Sequence, residues 1–166
     1  MKKIFNFVLI PALLWMWTLT PVTAQEEYTA ANEGWMVNIE QAHEESVRTG
    51  KPIMANFTGS DWCGWCKRLT ASVFSKQEFK DWAAENVVLL ELDFPRRMKL
   101  PEEIQQQNYS LQRVFKVTGY PTVWVFYLEE NKENGQMNIV PVGRTGYKNS
   151  VKEFIGDVEQ MMEEKG

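Results

Sequence analysis

The apolar positions of this chain change period several times, and each change marks an element. In residues 38–49, Ile39, Ala42, His43, Ser46 and Val47 share one helical face, with Glu40, Gln41, Glu44, Glu45 and Arg48 opposite, so the spacing predicts an amphipathic helix. Gly50 and Pro52 stop it. Residues 53–58 form a short, mostly apolar run of strand type, and Ser60 to Cys63 lead into a predicted helix over 64–71 with Cys66 and Leu69 inward. Ser75 and Glu78 have capping-box spacing ahead of a second helical piece through Phe79, Trp82 and Ala83. Residues 87–94 start as a near-continuous apolar run, the pattern of a strand covered on both faces.

The second half is read in the same way. Residues 95–108 are a polar excursion with Arg96, Arg97 and Lys99, expected as a solvated loop, with partner selection as the alternative. A short amphipathic helix is predicted over 109–117, a β-branched and aromatic strand over 122–128, and a turn over 129–138. A last strand is expected over 139–142, placed at a sheet edge by Pro141. Ser150 then caps a closing helix whose Val151, Phe154, Ile155, Val158, Met161 and Met162 follow a 3.6 period. The alternation predicts an α/β fold with a central mixed sheet, parallel at first and antiparallel at its end, and helices on both faces.

The first 24 residues stand outside this pattern. Lys2 and Lys3, an apolar stretch from Ile4 to Leu19 and Val22-Thr23-Ala24 read as a secretory signal peptide, too short and too interrupted to span a membrane. Residues 25–166 are then one domain, expected as an exported monomer with no membrane insertion after cleavage. Cleavage removes two of 18 basic side chains, leaving 16 against 22 acidic and a mature charge of −6. That charge gives no electrostatic footprint for nucleic acid or an anionic membrane.

The chain has two cysteines, Cys63 and Cys66. In an oxidising compartment they could form an inert bridge, but the loop closed is about four residues, which stabilises a domain by roughly 2 kcal/mol at most. Zinc is poorly served, because His43 is the single histidine and no second cysteine pair exists. Redox chemistry fits the spacing best. A thiol at the first turn of a helix meets free N–H groups and the positive end of the dipole, which favours thiolate. Cys63 is thus the expected nucleophile and Cys66, one turn on and inward, the resolving thiol. His43 reads as a packed structural side chain.

Trp62-Cys63-Gly64-Trp65-Cys66-Lys67 after a strand ending in Phe57, followed by Val117-Thr118-Gly119-Tyr120-Pro121-Thr122 before another strand, resembles the thioredoxin superfamily over roughly residues 51–162. The longer run Thr58 to Lys67, and Gly143 to Tyr147, look like exported bacterial thioredoxin-like proteins, which carry an extra N-terminal helix and an insertion after the second core strand. The resemblance implies a cis Tyr120-Pro121 bond beside the cysteine pair, the one kind of peptide bond where cis is cheap. It also implies a client-facing surface of Trp62, Gly64, Trp65, Tyr120 and Pro121, with packing as the alternative role for Trp62.

Two positions depart from the family. Where thioredoxins have a buried Asp before the aromatic of the first core strand, this chain has Asn56, which cannot act as a base. Water, Glu91 or Asp93 would have to take the proton of Cys66; Glu91, set between Leu90 and Leu92, is the preferred acceptor and Asp93 is expected at a solvated strand end. Trp65 also replaces the Pro between the cysteines, which leaves the redox potential open. The expectation is an exported thiol–disulfide oxidoreductase, needing no cofactor, that reduces client proteins in a bacterial periplasm with electrons from a membrane thiol carrier. A disulfide oxidase or isomerase, or a non-catalytic binding module, are the alternatives.

Overall fold

The computed structural model describes residues 28–132 and 134–165, so the signal peptide and its cleavage site lie outside the described residues. Helix α1 (Ile39–Thr49) is followed by β1 (Ile53–Thr58), α2 (Gly64–Leu69), α3 (Gln77–Asn86), β2 (Val88–Asp93), α4 (Glu102–Val114), β3 (Thr122–Glu130), β4 (Met137–Thr145) and α5 (Val151–Glu163). The strands lie in the order β2-β1-β3-β4. β1 runs parallel to β2 and antiparallel to β3, and β3 pairs antiparallel with β4. This is the expected mixed sheet, with α1 as an added helix ahead of the first strand.

Alternation along β1 and β2 divides the core. Ile53, Ala55, Phe57, Val88, Leu90 and Leu92 pack with Ala42 of α1 and with Phe115 and Phe126 on one face. Met54 packs on the opposite face with Leu69, Phe79, Phe154 and Val158 from α2, α3 and α5, and with Val73 between α2 and α3. Because side chains alternate, Asn56, Thr58, Glu91 and Asp93 must point to that second face, and all four are buried there. The face under α2 is therefore apolar at one end and polar at the other.

Local chemistry explains the element ends. The Asn38 side chain accepts the N–H groups of Glu40 and Gln41 at 2.8 and 3.2 Å, capping α1, and Gly50 closes it at φ 74°, a conformation that suits glycine. Edge strand β2 is covered in part by the lead-in segment: Met36 N–H donates to Leu89 O and Met36 O accepts from Glu91 N–H. On the other edge, Pro141 pairs with Phe126 next to a register shift that skips Val142 of β4.

Several elements differ from expectation. The helix after the cysteines runs on through a π-helical segment, Thr70–Phe74. Ser75 ends that segment, its hydroxyl donating to Ala71 O, so it is not the cap of α3, whose N-cap is Lys76. The polar excursion is mostly helix: α4 starts at Glu102, with Pro101 ahead of it and Glu102 and Glu103 in its first turn, as the helix dipole favours. Its inward residues are polar, which conceals them from a hydrophobicity pattern. Asn108 is buried and donates to Asp93 O, while Gln107 donates to Val37 O and accepts from Ile39 N–H. β4 is longer than the four residues expected, and Val47 faces solvent at 68% exposure.

Candidate active site

The loop from β1 to α2 positions the sulfurs. Gly59 O accepts the N–H groups of Trp62 and Cys63 at 3.2 and 2.8 Å, a turn that delivers Cys63 to the N-cap of α2. Cys63 is bonded to Cys66, with Cα atoms 5.3 Å apart. Cys66 N–H points at Cys63 Sγ from 3.1 Å, so a negative charge on that sulfur meets a backbone donor and the helix end together. Both residues are buried, Cys63 at 6% exposure and Cys66 at 3%, with Cys63 the more accessible.

Aromatic rings surround them. Trp62 is half-buried and held on three sides: Nε1 donates to Phe94 O at 2.8 Å, its ring meets Tyr120 edge-on at 5.8 Å, and the Arg96 guanidinium stacks over it at 3.7 Å. A Cβ on Gly59 would lie 2.5 Å from that ring, so glycine is required by the close approach. Trp65 is 53% exposed, with Tyr147 at 4.9 Å and the Arg68 guanidinium 4.6 Å over its ring. Gly64 is exposed, with open space where a side chain would be. The Tyr120-Pro121 bond is cis. Burial, then nearby Tyr109 and Asp93, push the Tyr120 phenol up to about 12, and its hydroxyl accepts from Gln112.

The polar end of the sheet lies beneath. Asn56 pairs in register with Glu91, and Thr58 with Asp93. Asn56 Oδ1 is buried without a hydrogen-bond partner among the described residues. Glu91, at 1% exposure, accepts Ala31 N–H at 2.6 Å on one oxygen and both Asn32 N–H and Asn32 Nδ2 on the other. Burial raises its carboxyl above the usual range against those three hydrogen bonds. Asp93 is not the solvated strand end expected of it. It is buried because Ser60 N–H and Oγ donate to its two oxygens at 2.8 and 2.5 Å, tying the loop before Cys63 to β2. A cleft of about 160 Å³ lined by Ala31, Asn32, Thr58, Ser60, Cys66, Lys67 and Thr70 links Cys66 with the lead-in segment. Tyr28 is also raised, by burial first and then by Asp93 and Glu91.

Sequence reasoning missed the supports. Asp61 accepts the N–H groups of Arg96 at 3.0 and 3.1 Å and of Arg97 at 2.6 Å, latching residues 96–97 beside Trp62. Although burial opposes it, these bonds hold its carboxyl below the ordinary value. Asn32 and Ser60 gave no sequence signal as partners of Glu91 and Asp93. His43 stays half-buried on α1.

A family model described as thioredoxin-like matches residues 34–127. The chain is 39% identical to the disulfide bond reductase DsbH of Chlamydia pneumoniae over 126 residues, covering 76% of this chain and 75% of that protein. A solved DsbH oxidoreductase structure superposes with TM-score 0.67 at 30% identity, over 84% of this chain and 93% of the other. A thioredoxin from Thermus thermophilus shares the fold, with TM-score 0.53 at 19% identity over 74% and 82% of the two chains.

Proposed function

The chain belongs to the thioredoxin-like family, and on that premise we propose that it reduces disulfides in exported client proteins. It is a thiol–disulfide oxidoreductase. The observation that carries the reading is the bonded Cys63–Cys66 pair at the start of α2, with Cys66 N–H aimed at Cys63 Sγ. In the reduced protein, Cys63 thiolate attacks one sulfur of a client disulfide; a mixed disulfide forms and the other client sulfur leaves as thiolate. Cys66 thiolate then attacks Cys63 Sγ and expels the second client sulfur. Two electrons pass from the dithiol to the client, whose thiolates take up two protons.

The similarity to a protein named a disulfide bond reductase supports this direction. Among the described residues no helix is long and apolar enough to cross a membrane. Each turnover leaves Cys63–Cys66 oxidised, so sustained reduction needs a thiol donor. We assign that role to a membrane thiol carrier, and the protein to the compartment outside the inner membrane, on the leader-like first 24 residues. Glu91 is proposed as acceptor of the Cys66 proton. Its burial on the face that carries α2, and its carboxyl raised by that burial, support the assignment. Replacing Glu91 with Gln is then expected to slow single-turnover reduction severalfold, and an unchanged rate would hand the proton to water. Client contact is proposed for Trp62, Gly64, Trp65, Tyr120 and Pro121.

The deciding experiment is equilibration of the Cys63–Cys66 pair with a dithiol buffer. A potential near ~ −270 mV, the value of thioredoxin, supports a reductant, and one near ~ −120 mV, the value of a strong dithiol oxidant, reverses the direction of electron flow. A pair that does not equilibrate removes the reading.

A further inference from the structure

The charge of this chain is unevenly spread. Residues 61–68 and 95–99 hold five of the 18 cations, Lys67, Arg68, Arg96, Arg97 and Lys99, and one of the 22 acids, Asp61. The rest carries 13 cations against 21 acids. The two stretches lie together, because Asp61 accepts the Arg96 and Arg97 N–H groups and Trp62 donates to Phe94 O. An acidic protein therefore presents a cationic rim at its reactive sulfur.

Two of these cations are held in place. The Arg96 guanidinium lies over Trp62 and the Arg68 guanidinium over Trp65, the tryptophans on either side of Cys63. Neither forms a salt bridge among the described residues. Stacking on a ring face leaves the N–H edge of a guanidinium free to fork onto a carboxylate, and fixes it so that little side-chain entropy is lost on doing so. Asp61, its carboxylate kept ionised by the Arg96 and Arg97 N–H groups, offsets one of the five positive charges and leaves the rim with a net charge of four. Lys67 Nζ donates to the uncharged Asp61 O.

We propose that Arg68 and Arg96 select clients whose disulfide is flanked by acidic residues. Carboxylates beside the client cystine dock on the two stacked guanidiniums and bring the disulfide to Cys63. The inference rests on the reductase reading above and narrows its substrate class.

The test uses two cystine peptides that differ in having Glu or Lys beside the disulfide, with uncharged hydroxyethyl disulfide as reference. The full chain is reduced beforehand, and single-turnover rates are followed by mixing. At low ionic strength the Glu peptide should react about tenfold faster than the Lys peptide, each normalised to the reference, and salt should close the gap. Combined R68E and R96E should reverse the order. The milder pair R68Q and R96Q, which keeps planar side chains over the rings, should bring the ratio near one. Equal rates in the unaltered protein, or a preference that survives both pairs, would overturn the selection while leaving the reductase intact. Failure to reduce any of the three disulfides, the reference included, would remove the reductase reading and this inference with it.

Discussion

Gly59→Ala tests how the loop in front of Cys63 is built. A Cβ there would sit 2.5, 2.6 and 2.8 Å from Cε2, Nε1 and Cζ2 of Trp62, closer than side-chain carbons come to anything. The ring cannot swing aside freely, because Phe94 O, Arg96 and Tyr120 hold it. Overpacking of this kind costs about 1–3 kcal/mol. Loss of the indole hydrogen bond adds about 1 kcal/mol, and loss of the stacked guanidinium about 0.5–1 kcal/mol. Restricting the unfolded chain returns about 0.4–1 kcal/mol. The net destabilisation is about 3 kcal/mol, a large share of the ~5–15 kcal/mol of an ordinary domain, and lowers Tm by roughly 10 °C. Thermal unfolding of Gly59→Ala, Trp62→Ala and the double variant closes the cycle. With the ring removed, the alanine should be nearly neutral, so the coupling equals most of the single-variant loss. A loss below about 1 kcal/mol, or the same loss in the Trp62→Ala background, would refute the clash as its cause.

Three further outcomes follow from the site. Cys66→Ser should leave the client covalently attached to Cys63, as an adduct on non-reducing gels that dithiothreitol releases, and Cys63→Ser should give none; an adduct in the second variant would reassign the nucleophile. Asp93→Ala strips Ser60 N–H and Oγ of their acceptor and should cost about 2–4 kcal/mol in urea unfolding, where less than about 1 kcal/mol would mean the loop is held by other contacts. Glu91 sets a pH dependence. Its folded carboxyl is raised above the ordinary value of 4.5, so between the two values the native state binds more protons than the unfolded state, and stability falls as pH rises through that window. Asp61 and Asp157 are lowered from 3.8 and act with the opposite sign, below that window. Glu91→Gln should flatten the decline in a Tm series from about pH 4 to pH 8, and an unchanged slope would exclude Glu91 as its source.

What was legible in the chain was whatever rested on apolar period or backbone punctuation. Met54 and Phe57 fall on opposite faces of β1, as alternation requires, and Gly50 ends α1 as a left-handed cap. The cysteine spacing between a strand and a helix was enough to place the bonded pair at the start of α2. The reading failed where polar side chains do structural work. The polar run predicts loop through residue 108 because Gln107 and Asn108, the contacts of α4 with α1 and β2, are hydrophilic. Asp93 is expected in solvent because nothing near it in sequence marks Ser60, 33 residues earlier, as its partner. Such pairings are set by strand register, and register becomes visible only once β1 and β2 lie side by side.

The two ends of the sheet bear on how this chain behaves when crowded. Exposed strand edges can recruit another copy's strand, the first step toward ordered aggregates. On β4, Pro141 interrupts the row of donors, and the register shift beside it bends the strand away from a flat template. On β2 the barrier is the chain's own backbone: Met36 occupies the donor of Glu91 and the acceptor of Leu89. That guard is a single bridge, held close by the Ala31 and Asn32 contacts to Glu91. Shortening the chain past residue 36 would unmask the apolar edge of β2 and favour strand-to-strand association between copies.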